Sequence, residues 1–472
     1  EYISANFTDL RTLLPVLEPF GIKDVNGLKI AFVGITTPES VTKSTPEYFK
    51  DENGSFIYGF PTFDMQDGVL YQSVQDSVDE AIEQGADVVI AVGHLGILGI
   101  SENWKSTDII ANTNGIDAFI DAHSHEKIEG DTYKNKDNEE VILSSTQTKF
   151  EYFGKLTISE NGIKTELIET AEVDVASMSD EAKNEYDRVK NIVDGYNEQI
   201  AYLYDPVGVS EVKLIAYDET GNWLARKSET NMGDFVADAY RYVTGADVAI
   251  CNGGGVRSEI EAGSVARIDV MNVNPWNNEM CVIEATGQQI ADVLEHGVCE
   301  YPQLSGGFFQ VSGVTFEVDA WKESPVIKDA WGNFVKINDT LDRRVRNIKI
   351  GGVPIDLEKT YTLAGSTYVL TQGGDGLTML DGAKVISQQG LPCDSDMLLM
   401  YFEEVLGKRI TAEKYGNPAG DGRIKINTTD PIEECEHMCH KKGIKGFVWK
   451  IVRFFCKIFK LNPLCDCGTL HY

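Results

Sequence analysis

Basic residues are scarce: lysine and arginine number 42 against 74 aspartate and glutamate in 472 residues, a formal net charge of −32. Such a surface repels phosphate backbones, which argues against general nucleic-acid binding, a duplex included. A small anionic substrate remains compatible where local cations or metal ions reverse the field. No run approaches the ~20 uncharged apolar residues of a membrane-spanning helix, so a transmembrane protein is not expected. Internal repeats, low-complexity segments and a signal-peptide pattern are also lacking. The chain opens on Glu1 rather than Met, which is expected of a processed or truncated product. Cysteine is sparse over most of the length, where Cys251, Cys281, Cys299 and Cys393 read as core thiols. Five more, Cys435, Cys439, Cys456, Cys465 and Cys467, crowd the last 38 residues. That cluster suggests a small disulfide-stapled or metal-binding unit.

What is present is an alternation of strand and helix patterns. LKIAFVGI (28–35) is a continuous apolar run, as in a strand buried on both faces. Residues 69–84 place Val74, Val78 and Ala81/Ile82 at helical spacing, and Gly85 ends the pattern. ADVVIAVGH (86–94) is a second buried strand, and a short helix near 106–113 leads to IDAFIDAHSH (116–125). The order implies parallel β-α-β units. Residues 141–158 read as two or three more strands. Residues 178–204 form a long polar helix pattern, capped by Ser179 or Asp180, that suits a connector. A second α/β region runs from there to about 427, with a helix at 231–242, a strand at 247–251, and a strand and helix over 280–296. β-rich stretches lie near 308–318 and 345–365.

Three of the seven histidines fall at strand ends. His94 follows ADVVIAVG, and His123 and His125 follow IDAFIDA. Open parallel sheets bind ligands beyond the carboxyl ends of their strands, and neutral imidazoles there suit Zn, Mn or Fe. A single histidine at such a place is ordinary; three at two strand ends point to a metal site. Asp121 reads as structural.

The segment 226–257 is the most specific. Arg226 precedes NMGDFVADAYR (231–241), which Asn231 is expected to cap, and GADVAICNGGGVR (245–257) comes next. The strand DVAIC ends at Asn252, and a glycine run leads to Arg257, whose guanidinium can fork onto phosphate or stack on a base. TYVLTQGGDG (367–376) sets Asp375 in a glycine turn, where a carboxylate can accept from ribose hydroxyls. Trp276 and Tyr368 can stack a planar base. Phe308 and Phe309 read as core.

Together these motifs resemble the 5'-nucleotidase family, which includes UDP-sugar hydrolases, 2',3'-cyclic phosphodiesterases and ecto-5'-nucleotidases. The resemblance covers about residues 1–427. It implies an α/β chain in which an incomplete calcineurin-like metallophosphoesterase β-sandwich, flanked by helices, occupies residues 1–170. A helical linker spans 171–205, and a second α/β domain that binds the nucleoside spans 206–427. His94 matches the family's Gly-His histidine. His123 and His125 match its Gly-His-x-His pair, with Ala122 in place of the usual Gly. All three are thereby implied as ligands of two divalent metal ions. Arg226, Asn252 and Arg257 match the substrate-contacting Arg, Asn and Arg, and Asp375 matches the ribose-binding Asp. Trp276 stands where an aromatic covers one face of the base. Val369 falls at the position often taken by the second aromatic, with Tyr368 beside it as the better candidate.

The family's Asp-x-His, Gly-Asp and Gly-Asn-His-Glu/Asp motifs are absent, and EYISANFTD (1–9) resembles the stretch that succeeds the last of them. The resemblance therefore implies that the catalytic His-Asp pair, the bridging carboxylate and the Asn ligand lie before Glu1. No catalytic residue is assigned within this chain. Alone it is expected to be inactive, with an unpaired sheet edge that favours aggregation. The implied activity is metal-dependent hydrolysis of nucleoside phosphates by a secreted or cell-surface bacterial protein. A non-catalytic nucleoside-binding surface protein, or a cyclic phosphodiesterase or UDP-sugar hydrolase, is the alternative. The tail, 428–472, lies outside the resemblance. Its segment 441–461 carries seven Lys or Arg and no acid, with Ile444, Phe447, Val448, Ile451, Phe454, Phe455 and Ile458 on one helical face. This pattern suits a membrane-surface or cell-wall contact, or a helical module stapled by the nearby cysteines. A zinc site using His437, His440 and His471 is a third possibility.

Overall fold

Alternation of small and branched side chains decides how the first sheet is buried. In the computed structural model, which describes residues 2–60, 69–97, 103–172, 174–329 and 331–430, strand β1 (Phe20–Val25) pairs antiparallel with β2 (Leu28–Thr36). Ala31, Val33 and Ile35 of β2 enter one core, while Ile30 enters another with Phe32 packed against it. Both faces are covered, so the run reads as apolar throughout. Helix α1 (Val69–Glu83) buries Val74, Val78 and Ala81 against the first face and leaves Ile82 exposed. Strands β3 (Val88–His94), β4 (Ala118–Asp121), β5 (Lys127–Lys134) and β6 (Glu140–Thr146) complete a six-stranded sheet of order β1-β2-β3-β4-β6-β5. The four inner strands are parallel and the two edges antiparallel. Helix α2 (Ser106–Asn112) joins α1 on the first face through Ile109 and Ile110. The opposite face is covered by the hairpin β7 (Tyr152–Ser159) and β8 (Gly162–Glu169), through Leu156, Ile158 and Ile163. Among the described residues β7 and β8 pair only with each other.

Helix α3 (Asp180–Ile200) starts at Ser179, whose hydroxyl accepts from the Ala182 amide, and none of its residues is buried. The second region is built on a five-stranded sheet. Helix α4 (Asn231–Thr244) precedes β9 (Val248–Asn252), and β10 (Met280–Thr286) runs into α5 (Gly287–Gly297). With β11 (Phe309–Ser312), β12 (Thr360–Ser366) and β13 (Val385–Ser387) the order is β11-β9-β12-β10-β13. Ala249 and Cys251 of β9 face the core under α4, and Val248 and Ile250 face the core under α5. A second sheet of Val314–Asp319, Val345–Ile350, Val353–Pro354 and Ile424–Asn427 extends that second core. Phe308 and Phe309 are buried there as expected.

Two expectations need correction. Thr230, not Asn231, caps α4: its hydroxyl accepts from the Gly233 amide. Asn231 is the first helical residue, and its side chain instead ties three segments, accepting from Ile215 N and donating to Lys213 O and Tyr415 O. Cys251 and Cys281 are core thiols, but Cys299 and Cys393 are only half-buried. The Cys-rich tail with its basic stretch 441–461 lies outside the described residues, and among those described no helix is long and apolar enough to cross a membrane.

Candidate functional site

Parallel register brings the histidines to one edge. Thr36 of β2 stands opposite His94 of β3, and Val92 of β3 opposite Ile120 of β4. The residues after β2, at the end of β3 and after β4 therefore emerge side by side. Asp121, at the end of β4, is buried and accepts from Leu95 N, Gly96 N and Ser106 Oγ at 3.0, 3.2 and 2.6 Å, which fixes the turn after His94. His123 and His125 both have left-handed backbone, with φ of 85° and 59°; such strain at two nearby residues is typical of functional turns. The rings of His94 and His123 lie 4.9 Å apart, His123 Nε2 meets Glu39 Oε2 at 3.1 Å, and His125 faces Trp223 at 6.4 Å. Local desolvation, then the neighbouring His123, holds His94 below its ordinary pKa. Desolvation, then Arg257 and Arg226, does the same for His125. Both shifts favour the neutral imidazole, the form that ligates metals. Among the described residues, however, no three His, Cys, Asp or Glu side chains converge closely enough to hold an ion. The side chains as placed do not by themselves make a metal site.

Facing these histidines is the loop after β9. Its glycines serve close backbone packing: a Cβ on Gly253 would stand 2.1 Å from Ala225 O, and one on Gly254 3.1 Å from Gly306 Cα. The amides of Gly253, Gly254 and Gly255 donate to Phe308 O, Gly306 O and Asn252 O, so carbonyls of the protein already use them. The loop delivers Arg257, and the turn before α4 delivers Arg226. Arg226, Trp223, Arg257 and Trp276 form an alternating row. Arg226 lies 3.9 Å and Arg257 5.0 Å from the Trp223 ring, and Arg257 lies 4.8 Å from the Trp276 ring. Burial, then repulsion from Arg257, pulls the Arg226 pKa down to about 10, which leaves it charged at neutral pH. The Nε atoms of both arginines are buried without a hydrogen-bond partner. Trp276 is 53 % exposed, so part of its surface is open to a ligand.

The third element is the glycine turn after β12. Asp375 has φ of 53° between Gly373 and Gly376, both left-handed as well. Its buried carboxylate accepts from Asn252 Nδ2 at 2.9 Å and from Lys43 Nζ at 2.7 Å, and its carbonyl meets His296 Nε2 at 2.8 Å. Tyr368 Oη accepts from the Asp375 amide and donates to Thr42 O. Val369 is buried in the core, so of the two candidates Tyr368 is the one at the site. Asn252, Asp375 and Tyr368 are thus brought together, as are Arg226, Arg257 and Trp276.

Three residues here are not singled out by the sequence analysis. Glu39 and Lys43 flank the one-turn helix Ser40–Lys43 beyond β2, whose end lies at the same sheet edge as His94; that placement was the available clue. Trp223 lies three positions before Arg226 and became visible only through the row it anchors.

Known proteins resemble this chain in sequence and fold. Residues 206–382 match the family described as 5'-nucleotidase, C-terminal domain. The chain is 27 % identical over 426 residues to the trifunctional nucleotide phosphoesterase protein YfkN of Bacillus subtilis, and 26 % identical over 434 residues to protein UshA of Escherichia coli. The matches cover 87 % and 85 % of this chain, but 25 % of YfkN and 72 % of UshA, so the chain spans a quarter of the first relative's length. The 5'-nucleotidase precursor of Thermus thermophilus shares the fold, with a TM-score of 0.68 at 23 % identity over 91 % of this chain and 78 % of that one.

Proposed function

We propose that these residues belong to a metal-dependent phosphoesterase acting on nucleoside phosphates. In this reading residues 1–170 supply part of a metallophosphoesterase domain, 171–205 the linker and 206–427 the nucleoside-binding domain. Asp375 and Asn252 take the ribose, Trp276 and Tyr368 the base, and Arg226 and Arg257 the phosphate. His94, His123 and His125 would supply part of the ligands of two divalent ions, Zn, Mn or Fe, which would activate water there. A secreted or cell-surface location is part of the same reading. The observation that carries it is the pair of buried guanidinium Nε atoms without a hydrogen-bond partner, both groups acting on His125, and Arg226 also on Asp375. Buried donors without a partner are rare, and an anionic ligand would supply one.

Among the described residues the histidine edge offers no cluster of three ligands, so the isolated chain is expected to turn over no substrate. The test is phosphate release from AMP with Mn²⁺ or Zn²⁺, with 2',3'-cyclic AMP and UDP-glucose as comparators. It should be run on the isolated chain and on the longest reading frame that encodes it. Release by the longer protein, lost on His123→Ala, supports the reading; release from none of the substrates sinks it. The lack of a three-ligand cluster among the described residues favours a second reading, a non-catalytic nucleoside-binding protein. Adenosine binding without hydrolysis by either protein would select it.

A further inference from the structure

Two guanidinium groups at one site repel each other, and partial burial strengthens the repulsion. Burial first, and then repulsion from Arg257, lowers the Arg226 pKa. Among the described residues neither Nε has a hydrogen-bond partner. What both share is Trp223. Its ring lies 3.9 Å from the Arg226 guanidinium and 5.0 Å from that of Arg257. The indole is itself fixed: Nε1 donates to Val256 O at 3.0 Å, and Tyr217 packs on the ring at 5.1 Å. Val256 is the residue before Arg257, so one side chain both touches the two cations and anchors the backbone that carries one of them.

We propose that Trp223 is a positioning residue for anion binding. Its ring holds Arg226 and Arg257 at one site as a two-armed clamp for the phosphate of the ligand. The ring offsets the mutual repulsion without consuming hydrogen-bond donors, which a carboxylate partner would do. The forks therefore stay free for phosphate oxygens. The clamp sits beside His125, whose ring lies 6.4 Å from the indole, so a phosphate held there stands at the histidine edge. The assignment of the anion to a nucleotide rests on the proposed function; the clamp itself does not.

The test is calorimetric binding of AMP, adenosine and pyrophosphate to the full chain, comparing wild type, Trp223→Phe and Trp223→Leu, each checked for its thermal melt. Trp223→Leu is expected to weaken AMP and pyrophosphate by about tenfold while leaving adenosine within about twofold. Trp223→Phe, which keeps an aromatic face and loses the N–H, is expected to stay near wild type for all three. Equal weakening of adenosine and AMP by Trp223→Leu, or unchanged AMP and pyrophosphate, overturns the inference. Pyrophosphate binding that follows the expected pattern while wild type binds neither adenosine nor AMP overturns the nucleoside reading and leaves the clamp standing.

Discussion

Lys43 Nζ lies 2.7 Å from Asp375 Oδ1, and these two residues come from different regions of the chain. Asp375 is buried, and Lys43 is held charged against its own burial by Asp375 and then by Glu39. The ammonium donates to one oxygen of the carboxylate proposed to take the ribose. In the proposed nucleoside reading, a ribose hydroxyl competes with Lys43 for that oxygen. Lys43→Met keeps the aliphatic stem and removes the competitor. It is expected to tighten adenosine binding by about threefold to tenfold, read by calorimetry. Weakened binding would place Lys43 on the ligand's side instead.

His296 should make stability sensitive to acid. It is buried, and burial lowers its pKa from 6.5 to about 4, with its Nε2 at 2.8 Å from Asp375 O. The folded state thus keeps the ring neutral where the unfolded chain would protonate it. Its contribution is present above pH 6.5 and is lost as pH falls from there toward 4. The expected loss is about 3 kcal/mol across that window. Urea melts at stepped pH check this; His296→Gln, which retains an N–H donor, should flatten that part of the profile.

The glycines after Asn252 are expected to matter through packing. Gly253→Ala would force a Cβ to 2.1 Å from Ala225 O, a backbone atom that cannot swing away. Destabilisation of about 2 kcal/mol is expected, together with weaker AMP binding, because Arg226 adjoins Ala225. Gly254→Ala meets Gly306 Cα at 3.1 Å and should cost less. Equal melts for all three proteins would contradict the close approach.

Periodicity made the parallel sheet legible, because β2 and β3 are short apolar runs covered on both faces. The strand ends then placed His94, His123 and His125 at one edge. Patterns of this kind say little about which neighbour a polar group chooses. Asn231 looks like a cap, yet Thr230 does the capping, since Asn231 is claimed by Lys213, Ile215 and Tyr415, the last 184 residues away. The glycine run leads to Arg257, but nothing in it shows that its amides go to Phe308 O, Gly306 O and Asn252 O. Lys43 and Asp375 are 332 residues apart, and no local signal joins them. Asp121, by contrast, read as structural, and its carboxylate is taken up by Leu95, Gly96 and Ser106.

Calorimetric titration of AMP and adenosine into the chain, with Asp375→Ala as the comparison, tests the nucleoside site most directly. Micromolar adenosine binding corresponds to about −8 kcal/mol. The account predicts adenosine affinity of that order, tighter AMP binding through Arg226 and Arg257, and loss of both with Asp375→Ala. Binding of neither ligand by the folded wild-type chain, or adenosine binding indifferent to Asp375→Ala, would contradict it.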